Sequence, residues 1–578
     1  MNGTLREITL YCSLPFISIF VVKDSMNLPF RIISLGILLL SFGWLSFSAA
    51  GQSFQSVFGV ATAEVQNIVT DYQNNTLVIG SFLGTRDFDP GPGISNLNSG
   101  NNHALFLQKF DSSGQFVFAK KLPTRHLEAQ LQVDSQGNVY VASDFYETVD
   151  LDPGSGVTNV TSFNNLQVAA SLFADDVYVV KLNSDGLFQW GKRYGTIYAD
   201  GINIAISPND ELIAAITYKG TLYIPTNPTS TFQTTGLSNN IALFTLDHSG
   251  NIQWAKNIGS TGDNDWSSHV SAAPNGDILL TGTIFETTDL DSGDGVANFT
   301  ANGADAFIAR YDSLGQYINA NIYGGPGGQF GSHAYERNGS VYAEINFDTQ
   351  IDADAGPGVF AFAQDSAERY IYLKDSIGVG LQWALEIPFG DAPPPASDYI
   401  QNHMLVADDG TIYGGYHLAQ NTQVVISGQS IAVARLGLND AILCKVNPNG
   451  TIAWFKRYGG ENDPITGEEY LYSVEAVALK APNKLVFGGY MEGVCDFDLG
   501  IGDGTLDVPN SSSGNSFLVT LNLTQDPGDL DGDGEVTSFD IDILTSSFGC
   551  TDCPQLDFNG DGIVTIADLL LYQDLIDG

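Results

Sequence analysis

The chain runs to 578 residues, and 66 Asp and Glu against 23 Lys and Arg leave a formal charge of −43. That balance excludes nucleic acid as a partner, because phosphate binding needs a basic face. The acid is spread through turns rather than massed in one tail, which fits a folded extracellular protein better than a disordered one.

Residues 26–51 carry a secretory signal pattern. Met26-Asn-Leu-Pro-Phe-Arg31 is followed by an apolar run from Ile32 to Phe47 and by Ser48-Ala-Ala-Gly51. Cleavage falls after Ala50 or Gly51. Residues 1–25 fit no part of the pattern, so Met26 is read as the start. The alternative is an uncleaved anchor, but the run of about 16 residues is shorter than the roughly 20 a span needs. No other segment is expected to cross a membrane. The mature chain keeps Cys444, Cys495, Cys550 and Cys553, too few for a fold that rests on many disulfides.

From 52 to 525 the chain repeats itself. One phrase returns as Trp190-Gly-Lys-Arg-Tyr-Gly195, Trp254-Ala-Lys-Asn-Ile-Gly259 and Trp454-Phe-Lys-Arg-Tyr-Gly459. Weaker copies are anchored at Phe118, Asn319 and Trp383, and one stands at the start, Phe54-Gln-Ser-Val-Phe-Gly59. Successive anchors lie 64, 72, 64, 65, 64 and 71 residues apart. Each unit orders its parts alike. In 127–195 a short strand meets the turn Ser135-Gln-Gly-Asn138, and the strand Val139–Phe145 follows. Then come an Asp-rich turn, the strand Asp176–Leu182, the turn Asn183-Ser-Asp-Gly186 and a fourth strand ending at Trp190. Apolar runs bounded by Asn/Asp-Gly turns are hairpin signals. Four antiparallel strands repeated radially make a β-propeller blade.

Seven fourth-strand phrases exist, but the first precedes every blade, and the last unit lacks its own. The N-terminal strand is therefore expected to complete the seventh blade and hide its edge. The predicted fold class is all-β: a seven-bladed β-propeller of four-stranded blades at 52–525, plus a small α-helical domain at 526–578. The phrases Asp150-Leu-Asp-Pro-Gly-Ser-Gly156 and Asp-x-x-Gly-x-x-x-Trp-Ala-Lys also resemble secreted bacterial propeller-repeat proteins.

Two sets of propeller residues are candidate sites. An Asp-x-Asp-x-Gly turn recurs at Asp87, Asp150, Asp289, Asp352 and Asp496 and is absent from the third and sixth units. Its paired carboxylates suit either calcium at a blade edge or a plain turn, and two carboxylates fall short of a full cage. The second set lies on the first strands, which are expected to line the channel. Aligned on the Asn/Asp-Gly turn, Gln130, Asn203, His269, Ser332 and His403 share one position, with His333 beside it. They form either a small-molecule or glycan site or a hydrated channel wall. No nucleophile elbow, zinc-protease helix or phosphate loop appears.

The last fifty residues hold one loop written twice: Asp529-Leu-Asp531-Gly-Asp533-Gly534-Glu535-Val-Thr537-Ser-Phe-Asp540, and Asp557-Phe-Asn559-Gly-Asp561-Gly562-Ile563-Val-Thr565-Ile-Ala-Asp568. Oxygen ligands at positions 1, 3, 5, 9 and 12, with glycine at 6, form the ligand ladder of an EF-hand calcium loop. Glu535 and Ile563, at position 7, offer a backbone carbonyl. No amphipathic helix precedes Asp529, whereas Phe539, Ile541, Ile543 and Leu544, and later Leu569, Leu570, Leu571 and Leu575, fall at helical spacing.

A loop with only its exiting helix, duplicated and with Asp at position 12, resembles the type I dockerin. The resemblance covers 526–578 and implies folding on Ca2+ and docking into a cohesin-like or cell-surface partner. In that family positions 10 and 11 choose the partner, here Ser538 and Phe539, then Ile566 and Ala567. The other reading is a calcium-stabilised cap, since so small a unit buries little core. Cys550 and Cys553 suit a structural disulfide better than redox or zinc chemistry, because two further zinc ligands are missing nearby.

The sequence therefore points to a secreted, non-catalytic recognition or surface-assembly protein. The alternative is a polysaccharide-degrading hydrolase or lyase working at the channel. Calorimetric titration of the full chain with Ca2+ is expected to show two ions bound. Asp529→Ala and Asp557→Ala should each remove one.

Overall fold

A computed structural model describes most of residues 54–523, the longest segments outside the description being 163–175, 388–403 and 460–471. Beyond 523 it describes Leu544, Thr545, Phe548, Thr565, Ile566 and Leu569. The signal segment, Cys550, Cys553 and, apart from Thr565 and Ile566, the calcium-loop residues named above lie outside the described residues. Among the described residues no helix is long and apolar enough to cross a membrane.

The strands assemble into seven four-stranded antiparallel sheets among the described residues. In blade 4 the order from the inside is Trp266–Ala272, Ile278–Asp289, Asn298–Tyr311 and Tyr317–Tyr323. Blade 5 repeats it with Gln329–Arg337, Ser340–Phe347, Arg369–Ser376 and Gly380–Ile387. The seven-bladed propeller expected from the repeat is the fold.

Burial explains the composition of the strands. Thr76–Phe82, Ala104–Phe110, Val139–Phe145 and Asp176–Leu182 are buried at every residue. They are the two middle strands of their blades, covered on both faces by neighbouring blades, so they read as continuous apolar runs. The fourth strands, such as Phe188–Tyr194, are only half-buried. The core is a set of interfaces: one apolar cluster joins Tyr140, Val177 and Tyr194 of blade 2 to Ile204, Leu212 and Phe244 of blade 3.

The ring closes as the repeat requires. Phe54–Val60 pairs antiparallel with Asn515–Asn522 and completes blade 7. The same joint packs Ala63, Val65 and Ile68 of blade 1 against Ala476, Val486 and Leu518 of blade 7. Ser516 Oγ accepts the Val65 N–H at 2.9 Å and donates to the Ala63 carbonyl.

A repeated latch joins successive blades. The aromatic anchor of one fourth strand lies beneath the turn between strands three and four of the next blade. Trp190 Nε1 donates to His248 O, Trp254 to Ser313 O and Trp383 to Pro448 O, each at 3.0 Å. The turn glycines sit against the rings: a Cβ on Gly250 would come within 3.0 Å of Trp190, and one on Gly315 within 2.6 Å of Trp254. Both take positive φ, 76° and 74°, so glycine meets a backbone and a steric demand together. Phe118 fills the same place beneath Gly186.

Among the described residues, the second-to-third strand connection of six blades carries a small separate outer hairpin that the repeat reading left as a turn, such as Thr148–Asp150 with Asn159–Thr161. In the Asp-x-Asp-x-Gly turns the intervening residue is a plug: Phe88, Leu151, Leu290 and Ala353 are all buried.

Deleting residues 54–60 removes one strand of hydrogen bonds and bares the blade 7 edge. The expected cost is on the order of 5 kcal/mol, read as a lower Tm and aggregation. Trp254→Ala should cost about 2 kcal/mol in chemical denaturation, less than a fully buried tryptophan because Trp254 is half-buried.

Candidate functional site

The inner strands of blades 1 to 5 each place one polar side chain at a common level. At the fourth residue pair back from the hairpin Gln130 faces Ala142, Asn203 faces Ala215 and His269 faces Thr281, and in blade 5 His333, which follows a bulge as His269 does, faces Glu344. This corrects the alignment of Ser332. The first hairpin of blade 5 is one residue shorter than that of blade 4, so counting from the turn shifts the register by one. Ser332 lies in a β-bulge between Gly331 and His333, as Ser268 does between Ser267 and His269. A bulge residue drops out of the pairing, and His333 takes the ring position. His403 lies outside the described residues.

Blade 1 contributes Asn67, facing Ile79, which the turn-based alignment missed. Its hairpin has no glycine: Asn74 holds the left-handed position at φ 60°. Asn67 is fully buried, and its amide has no partner among the described residues. In blade 7 the position is Ala476.

These side chains reach from blade to blade. Asn203 Nδ2 donates to Ser267 O at 3.3 Å. The Ala334 N–H points at His269 Nδ1 at 3.5 Å, and the two histidine rings lie 5.0 Å apart. Tyr335 meets His269 edge-on at 4.8 Å. His333 Nδ1 lies 2.8 Å from Glu344 Oε2, and Tyr416 OH of blade 6 donates to Glu344 Oε1 at 2.7 Å. Glu344 is fully buried, so its carboxylate is held by these charge-assisted bonds. Four blades, 3 to 6, are thereby joined through one polar network.

Burial, and then the neighbouring His333, hold the His269 imidazole well below the usual histidine range. A neutral ring with Nδ1 unprotonated is what the Ala334 N–H calls for. Burial raises the Tyr335 and Tyr416 hydroxyls, so both stay protonated. Cys444, a buried free thiol nearby, is pushed up to about 12 by burial and is no nucleophile.

The Asp-rich turns satisfy themselves. Asp87 Oδ1 accepts the N–H groups of Asp89 at 3.1 Å and Ser95 at 2.7 Å, and Asp89 Oδ1 accepts that of Gly91 at 2.8 Å. The pattern recurs at Asp150, Asp289 and Asp352. Backbone amides do here what a cation would otherwise do, which favours the plain-turn reading. No group of three or more metal-ligating side chains occurs among the described residues. Of the C-terminal repeat, the Leu569 N–H bonds to Thr565 O at 3.3 Å.

No family model matches the chain, and no curated protein does. Several solved structures are similar in fold. The polysaccharide lyase Uly1 is 10% identical, with 82% of this chain and 100% of that chain covered, at a TM-score of 0.37. The NanB sialidase from Streptococcus pneumoniae is 9% identical, with 82% and 93% covered, at 0.33. A protein of unknown function from Dyadobacter fermentans is 11% identical, with 81% and 99% covered, at 0.33. These likenesses carry no argument about ligand or chemistry, which rest on the side chains themselves.

Because His269 binds a proton more weakly folded than unfolded, the unfolded chain takes up protons first as pH falls. Its contribution to stability is intact above the unfolded value near 6.5 and is lost below it. Denaturation midpoints should therefore fall between pH 7 and pH 5. His269→Gln should flatten that slope.

Proposed function

We propose that this is a secreted, non-catalytic recognition or surface-assembly protein. The propeller is its ligand platform, and 526–578 is a Ca2+-dependent element that attaches it to a cohesin-like or cell-surface partner or stabilises it. The supporting observation is that the polar network of blades 3 to 6 is closed on itself. Both oxygens of Glu344 are engaged, by His333 and Tyr416, and the carboxylate is fully buried. A general acid or base must instead present its proton-bearing atom to the substrate. On this reading the partly exposed side chains of Asn203, His269 and Tyr335 offer a polar rim for a glycan.

A second reading, a polysaccharide-degrading hydrolase or lyase at the channel, has one observation in its favour. His269 is held neutral, is partly exposed and stands beside the protonated phenol of Tyr335. A neutral imidazole next to a phenol is a usable base and acid.

The two readings separate on product release. The full chain, incubated with marine and plant polysaccharides with and without chelator, should retain polysaccharide in pull-down yet release no reducing ends or unsaturated products. Product formation that His269→Ala abolishes would overturn the non-catalytic reading.

A further inference from the structure

Among the described residues, the latch made by blades 1, 2, 3 and 5 with the blade that follows each is missing between blades 4 and 5, where both of its halves have changed. Blade 4 carries Asn319 where blades 1, 2, 3 and 5 carry Phe118, Trp190, Trp254 and Trp383. In blade 5 the turn has Val379 where other blades have Gly186, Gly250, Gly315 and Gly450, and Val379 is 75% exposed. Gly378 and Gly380 beside it meet nothing within 4 Å, whereas the latch glycines press on rings.

Three further departures converge on the same place. Asn321 replaces the lysine found as Lys120, Lys192 and Lys256 two residues past the anchor. Asp375 stands where the other third strands end in Phe110, Leu182, Leu246, Tyr311 and Val446, each buried to 2% exposure or less. Arg310 takes the place of Lys109 and Lys181, which reach the next blade's turn carbonyls at Ser184 and His248. Arg310 turns instead to Asp277, at 2.7 Å, and to Glu336. The result is a cleft of about 430 Å³ between blades 4 and 5. That size is in the range of small-ligand sites.

A carboxylate at a position where five other blades bury an apolar residue works against the fold, and such local conflicts mark function. Burial raises the Asp375 carboxyl, the Asp354 charge adds to this, and the hydrogen bond from Asn321 Nδ2, at 2.8 Å, opposes it. The lining defines the ligand. Asn319, Asn321, Asp354 and Asp375 offer both donors and acceptors, while Val341 and Leu381 offer apolar surface. The guanidinium of Arg310 is already taken by two carboxylates, and Asp354 and Asp375 repel anions.

We propose that the cleft between blades 4 and 5 binds a neutral, hydroxyl-rich sugar ring of a glycan chain, at a site separate from the channel. The experiment titrates the full chain calorimetrically with neutral hexose oligosaccharides, and in parallel with sulfated and uronic acid oligosaccharides and with Ca2+ alone. Neutral oligosaccharides should bind. Asn319→Trp, which restores the ring beneath the turn, should weaken them at least tenfold with an unchanged or higher Tm. Asp375→Asn, which preserves shape, should weaken them several-fold, so the inference stays testable if the larger side chain disturbs folding. His269→Ala should leave this binding intact, which separates the site from any ligand at the channel. Binding confined to the charged oligosaccharides, neutral binding untouched by both cleft variants, or a bound Ca2+ that Asp375→Asn removes would overturn it.

Discussion

Each blade buries both faces of its middle strands against its neighbours, and the rest of the structure follows from that. A four-stranded sheet on its own would leave two apolar faces in water. Stacked radially it leaves none, provided the ring closes. Closure therefore falls to the N-terminal strand, which pairs with Asn515–Asn522 and completes the blade that the C-terminal end of the repeat leaves one strand short. The same demand accounts for the continuous apolar runs at Val139–Phe145 and Asp176–Leu182.

A repeated fold also makes its exceptions informative. The latch of ring, turn glycine and turn carbonyl recurs because one solution suits every equivalent joint. Where it is dropped at blades 4 and 5, ring and glycine are lost together, and polar side chains enter an apolar position. A random loss would have altered one partner and left a cavity or a clash. The inner strands show a parallel case: blades 3 to 6 carry Asn203, His269, His333, Glu344 and Tyr416, which meet across strands or blade boundaries. Both sets involve blades 4 and 5, so this sector of the ring departs from the repeat at the channel and at its outer side.

Reading from the chain to the fold worked best where the physics is local. Asn/Asp-Gly turns demand left-handed backbone and set off the strands of each unit, and the recurring aromatic fourth-strand phrase fixed the blade count. It failed where turn length varies. Aligning on the turn put Ser332 in the ring, because the first hairpin of blade 5 is shorter and a bulge shifts the pairing by one. It overlooked Asn67, because Asn74 does in blade 1 what glycine does in blades 2, 4, 5 and 6. Asn319 stood out in the sequence as a weak anchor, but its consequence did not, since the turn it should have carried lies some sixty residues further on.

By itself the sequence determined the number of blades, the order of their strands, the closing strand and the spacing of the oxygen-bearing side chains in the two C-terminal loops. All of these are patterns along one stretch of chain, set by backbone geometry and by alternate burial. Only the tertiary structure decided which blade-specific residues meet. His333 with Glu344 and Tyr416, and Asn321 with Asp375, pair across strands or blades, where register and bulges rather than sequence distance choose the neighbour.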